Sequence, residues 1–253
     1  MTQTKSSTRQ IGGLSARLVD ALPEGAAPRL LCVLCHGYGA PGDDLASIGG
    51  ELIRASRAVA SQVRFIFPAA PLSLGGYYGS EARAWWPLDM EALDDAIRRG
   101  TFLDRTDEVP EQLSDARTLL NDLIQAQLAE LGLGVDRLVL GGFSQGAMLA
   151  TDVSLRLASN PALLGIFSGT LINAAEWRSL AAERRGTAVV QSHGRQDPLL
   201  PFAAAEQLRD LLESSGLAVE FIPFDGPHTI PIESLVAFLR AIEGALAHPW
   251  PHS

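Results

Sequence analysis

The sequence predicts an α/β protein, with a mostly parallel sheet covered by helices on both faces. Three observations carry this. Short apolar segments alternate with longer ones whose apolar residues recur at spacings of three and four. Several of the short segments are β-branched and continuously apolar, as strands buried on both sides must be. The chain is 253 residues long, with no internal repeat or low-complexity tract, which fits one domain built from right-handed crossovers.

The elements follow in order. The polar opening MTQTKSSTRQ (1–10) reads as a flexible tail. Strands are predicted at Leu14 to Asp20 and Arg29 to Cys35, a helix at Asp43 to Ala60 and a strand at Val63 to Phe67. Residues 72–109 then lose any clear period and are rich in Gly and aromatic residues. Unpatterned connections of this length tend to be caps or binding loops, so the segment is expected to form a flap over a site. Its acidic run, Asp89 to Asp95, reads as a solvated helix face. A helix at Pro110 to Leu131, a strand at Arg137 to Gly141 and a helix at Gln145 to Ala158 follow. The remaining strands are Leu163 to Phe167, Ala188 to Ser192 and Val219 to Phe224; the remaining helices are Pro201 to Ser215 and Ile230 to Leu246. In the last helix Ile232, Leu235, Val236, Leu239 and Ile242 share a face.

Composition excludes several functions. A hydrophobic share of 47% without a run near the roughly 18 apolar residues of a membrane span predicts a soluble protein. The opening residues carry no apolar core of a secretory signal, which predicts a cytoplasmic location. A net charge of −9 with scattered arginines argues against nucleic acid as a partner. Cys32 and Cys35 have CxxC spacing, but in a strand their Cα atoms lie about 10 Å apart, beyond the roughly 7 Å reach of a disulfide. They read as two small buried hydrophobes, and two thiols alone make a poor zinc site.

One stretch carries chemistry. Gly142-Phe143-Ser144-Gln145-Gly146 matches G-x-S-x-G, a weak signal by itself in a chain with 24 glycines. Its context strengthens it, because an apolar strand runs in and a helix runs out, the order a nucleophile elbow requires. A serine held in a strained turn needs near-absent side chains two positions before and after it, and Gly142 and Gly146 meet that condition. The turn also puts Ser144 at a helix N-terminus, whose free N–H groups favour a developing oxyanion. The bland alternative is a glycine-rich turn holding an incidental serine.

A serine hydroxyl needs a base to take its proton and an acid to orient that base, here in the chain order Ser, acid, His. Of five histidines, His248 and His252 lie in the C-terminal HPWPHS, and His36 and His193 follow strands. His228, in the loop between the last strand and the last helix, has the position a base requires. Asp197, in the turn-rich loop after the strand at Ala188 to Ser192, is the acid expected; Asp225 competes from the same loop as His228, where turn formation is its bland role. Two N–H donors for the oxyanion are assigned to Gln145 and to Tyr38 in Cys35-His36-Gly37-Tyr38-Gly39, with His36 bonding within its own loop. Tyr77, Tyr78, Trp85 and Trp86 are four of the seven Tyr and Trp residues, crowded into ten positions of the flap. They are either core or the mouth of a site for apolar acyl chains, and are taken as candidate substrate-binding residues.

Together, HGYG at 36–39, FPAAP at 67–71, GFSQGA at 142–147, SHGRQDPLLP at 192–201 and GPHTI at 226–230 resemble the phospholipase/carboxylesterase family of α/β-hydrolases, which includes the acyl-protein thioesterases. The resemblance runs from about Leu30 to Leu246. It implies the α/β-hydrolase fold, a Ser144–His228–Asp197 triad, oxyanion donors at Tyr38 and Gln145, no cofactor and no metal. It also implies short to medium acyl esters or thioesters as substrates and, in some members, a homodimer. The chain departs from the family where APGDDLAS follows the HGYG loop, and where the flap carries Trp85-Trp86-Pro87-Leu88-Asp89 in place of a Trp-Phe/Tyr-Asp signature; substrate preference therefore does not carry over with the triad. The expected function is a serine carboxylesterase. The alternatives are a lysophospholipase or acyl-protein thioesterase, and a non-catalytic binding module on the same scaffold.

Overall fold

The computed structural model describes residues 4–75 and 79–247. The chain opens with the hairpin β1 (Lys5–Ile11) and β2 (Leu14–Asp20), continues to β3 (Leu30–Cys35), α1 (Ala46–Ala55), α2 (Arg57–Gln62) and β4 (Val63–Pro68), and enters the flap. The flap holds a small antiparallel ribbon, β5 (Leu72–Ser73) with β6 (Arg83–Ala84), and the helix α3 (Met90–Arg99). After it come α4 (Leu113–Leu131), β7 (Leu138–Phe143), α5 (Gln145–Arg156), β8 (Leu163–Phe167), α6 (Ala174–Ala181), β9 (Ala188–Gly194), α7 (Phe202–Ser214), β10 (Ala218–Phe224) and α8 (Ile232–Ala247).

Among the described residues eight strands form one sheet in the order β1-β2-β4-β3-β7-β8-β9-β10. The β1–β2 and β2–β4 pairs are antiparallel; from β4 through β3 to β10 all pairs are parallel. Two apolar cores result. Side chains of α4, α5, α6 and α7 pack on one face, and those of α1, α2 and α8 on the other. Strand alternation sends Cys35 into the first core and Cys32 into the second. Both thiols are free and fully buried, and burial pushes both pKa values up.

Four features differ from the sequence reading. Residues 5–10, expected as a flexible tail, belong to β1, paired from Lys5↔Asp20 to Ile11↔Leu14. The missed signal is Gly12-Gly13, a two-residue hairpin loop whose φ values of 56° and 84° suit glycine; β1 is polar because an edge strand needs backbone partners and no buried face. The helix expected at 43–60 breaks at Ser56, whose extended backbone ends α1 and whose Oγ accepts the Val59 N–H at 3.3 Å to cap α2. The helix α6 has no counterpart in the sequence reading, and α3 extends the helix face read at Asp89 to Asp95; there Asp89 Oδ1 accepts the Ala92 N–H at 2.9 Å, and Glu91 and Asp94 are exposed as expected. Finally, α8 is rotated from the predicted face: Ile232 and Val236 are 76% and 60% exposed, while Ala237, Phe238 and Ile242 are buried. Phe238 lies over Gly165, where an added Cβ would come within 2.8 Å of its ring, and it meets Phe167 edge-on at 5.2 Å. That gap in the sheet surface sets the rotation.

Candidate active site

Ser144 links β7 to α5 with φ 55° and ψ −121°, a strained conformation for a residue with a Cβ. Its backbone fixes the turn: the N–H donates to Phe167 O at 2.8 Å, and the carbonyl accepts from the Ala147 and Met148 N–H groups at 3.0 and 3.2 Å. The flanking glycines are sterically obligatory. A Cβ on Gly142 would lie 2.6 Å from the Cys35 carbonyl oxygen, and one on Gly146 only 2.2 Å from it and 2.4 Å from that of His36. The elbow thus presses against the HGYG loop, and a Cβ on Gly37 would be 3.3 Å from that of Ser144.

The loops after β9 and β10 are joined as tightly. The Arg195 N–H donates to Phe224 O at 2.8 Å and the Gln196 N–H to Gly226 O at 3.1 Å; Gly194 has no room for a Cβ against the Gly226 and Pro227 carbonyls. The junction brings His228 Nδ1 to 2.6 Å from Asp197 Oδ2. The other carboxylate oxygen accepts the N–H groups of Leu199 and Leu200 at 2.9 and 3.0 Å. Burial favours the neutral acid, but the hydrogen bond and charge of His228 and these two N–H groups outweigh it and lower the Asp197 pKa. With an anionic partner at Nδ1, that nitrogen donates and Nε2 of His228 remains an acceptor. Asp225 is solvent-exposed and pairs with Arg195, its carboxylate oxygen 3.7 Å from Nε.

Between these loops and the flap lies a cavity of about 590 Å³ that Ser144 and His228 both line. Tyr38 and Gln145 line it beside them; Trp86, Leu88, Met148 and Leu171 give it a mostly apolar wall. The phenyl ring of Phe143 lies 4.6 Å from the His228 imidazole. Of the candidate substrate-binding residues, Trp86 is among the side chains that line this cavity. Trp85 is not: it is buried outside the cavity lining, with its indole N–H donating to His36 O at 2.9 Å, because strand alternation at the end of the ribbon turns it inward. Tyr77 and Tyr78, like His248 and His252, lie outside the described residues.

Three participants escaped the sequence reading. His193, four residues before Asp197 and fully buried, has Nε2 at 3.1 Å from Leu200 O and 3.3 Å from Asp197 Oδ2; burial lowers its pKa. The only sequence signal was its place in the same motif as Asp197. The Gln145 carboxamide, expected to matter only through its backbone, bonds the flap at Trp85 and Trp86. Phe102, Leu103 and Leu199 carry the cavity wall outward to exposed apolar positions, which no periodicity marked. His36 Nδ1 donates within its loop, as expected, to Gly37 O at 2.8 Å, while Nε2 reaches outside it to accept the Ala70 N–H at 3.0 Å. Among the described residues no helix is long and apolar enough to cross a membrane.

A family model described as Phospholipase/Carboxylesterase matches residues 23–244. Acyl-protein thioesterase 1 of Neurospora crassa is 27% identical over 235 residues, covering 90% of this chain and 91% of that protein. A probable carboxylesterase of Oryza sativa subsp. japonica is 28% identical, covering 84% and 86%. Among solved structures, the esterase PE8 is 30% identical with a TM-score of 0.74, covering 92% of this chain and 99% of that one. The sheet with its covering helices is that of an α/β-hydrolase, and the chain belongs to the phospholipase/carboxylesterase family of hydrolases.

Proposed function

We propose that the protein is a serine carboxylesterase acting on short- to medium-chain acyl esters, with Ser144 as nucleophile, His228 as base and Asp197 as the acid that orients it. The observation that carries this reading is the 2.6 Å bond between His228 and Asp197 at the edge of a cavity that Ser144 also lines. Ser144 Oγ attacks the acyl carbonyl as His228 Nε2 takes its proton, and the N–H groups of Tyr38 and Gln145 receive the oxyanion. His228 returns the proton to the departing alcohol. Water, activated by the same imidazole, then releases the acid and frees Ser144. No step calls for a cofactor.

A second reading, hydrolysis of longer acyl thioesters or lysophospholipids, is favoured by one observation: the apolar wall continues from the cavity to Phe102, Leu103 and Leu199, which are 52%, 38% and 37% exposed. A fluorophosphonate probe and an acyl chain-length series separate the readings. We expect covalent labelling that Ser144→Ala abolishes, with p-nitrophenyl ester turnover highest between butyryl and octanoyl. Labelling that survives Ser144→Ala overturns the nucleophile; an optimum at palmitoyl thioester replaces the first reading with the second. Failure of the intact protein to label favours a non-catalytic binding module.

A further inference from the structure

The segment Arg83–Trp86 is stitched to both sides of the proposed oxyanion site. To the HGYG loop, the Gly39 N–H donates to Arg83 O at 2.8 Å, the Arg83 N–H to Ala40 O at 3.1 Å, and the Trp85 indole to His36 O at 2.9 Å. To the nucleophile elbow the link is one side chain. Gln145 Oε1 accepts the Trp85 N–H at 2.9 Å, and its Nε2 donates to Trp86 O at 2.8 Å. Gln145 and Trp86 are each only 1% exposed, so neither bond is replaced by water when lost. A carboxamide is suited to this place, because it offers an acceptor and a donor side by side, as a paired strand would.

We infer that the Gln145 side chain is a specificity-determining positioning residue, which locks the Trp86 wall to the elbow and so sets the preference among acyl chain lengths. The inference rests on Ser144 as nucleophile. The backbone of Gln145 follows the serine directly, and its side chain grips the peptide of the residue that walls the cavity, so elbow and wall share one frame. An acyl chain long enough to press on Trp86 is thereby held in register with Ser144; an acetyl group gains little from that wall. Without the carboxamide, the Trp85 N–H and the Trp86 carbonyl lose their partners, the wall shifts, and longer chains lose register. Misplacement of about 1 Å is enough to cost on the order of 100-fold in rate.

The test is the ratio of kcat/KM for p-nitrophenyl octanoate to that for the acetate. Gln145→Met keeps the length and removes both bonds; Gln145→Glu keeps the acceptor and removes the donor. Each is expected to lower the ratio by about tenfold or more while fluorophosphonate still labels Ser144. Trp86→Ala should lower it as well, and adding Gln145→Met to that variant should change it by less than about threefold, since coupled residues are not additive. A ratio that stays at the unsubstituted value in both Gln145 variants overturns the inference, as do independent, multiplying effects of Gln145→Met and Trp86→Ala. Failure of both Gln145 variants to fold assigns the side chain a purely structural role and also overturns it. Absence of labelling in the unsubstituted protein defeats the nucleophile reading instead.

Discussion

His228 and Asp197 stand 31 residues apart on different loops, yet Nδ1 of the one lies 2.6 Å from Oδ2 of the other. Asp225, three positions from His228, is solvent-exposed. Proximity along the chain lost to the geometry of parallel strands, which delivers the loops after β9 and β10 to the same sheet edge.

This pair yields a direct test. Asp197→Asn should lower kcat by about 10⁴-fold, because an amide no longer stabilises the imidazolium or fixes its tautomer. Asp225→Asn should stay within about twofold. Initial rates on a p-nitrophenyl ester decide; equal losses, or the reverse order, reassign the acid.

Stability should depend on pH through His36. Burial is the main reason its pKa is held down to about 4; the Gly37 carbonyl opposes that, and the nearby Arg83 charge adds to it. An unfolded histidine titrates near 6.5, so between pH 6.5 and about 4 the unfolded chain takes up a proton that the folded one refuses, and acid removes about 3 kcal/mol of stability. Urea midpoints measured across this window should fall with acid, and His36→Asn should flatten the slope, leaving the part carried by the buried His193.

Gly146→Ala tests the steric reading of the elbow. Its new methyl would lie 2.2 Å from the Cys35 carbonyl oxygen, so backbone must move. We expect a loss of about 3 kcal/mol in urea unfolding together with a collapse of esterase activity. Alanine accepted at no cost in either measurement would mean that the elbow does not need this glycine.

The legible parts of the sequence were those whose physics is local. Continuous apolar runs marked β3, β7 and β8, because a strand buried on both faces has little room for polar side chains. G-x-S-x-G between a strand and a helix marked the elbow, because the steric demand falls on two fixed neighbours. The polar β1 was missed because its partners are backbone atoms of β2. The rotation of α8 was missed because it depends on a space above Gly165. Trp85 and Trp86 are adjacent and chemically identical, and only their placement separates a core residue from a cavity wall.

By itself, then, the sequence determined the α/β alternation, the elbow at Ser144 and the family motifs, since each is written in contiguous residues whose backbone conformation decides the matter. The order of elements already pointed to Asp197 as the partner of His228, whereas tertiary structure alone decided that His193 lies against Asp197 and that Gln145 reaches the flap. The His228–Asp197 and Gln145–flap contacts join segments from about 30 to 60 residues apart, and His193 meets Asp197 through the fold of the loop between them, so sheet register and loop packing rather than any local preference set these contacts.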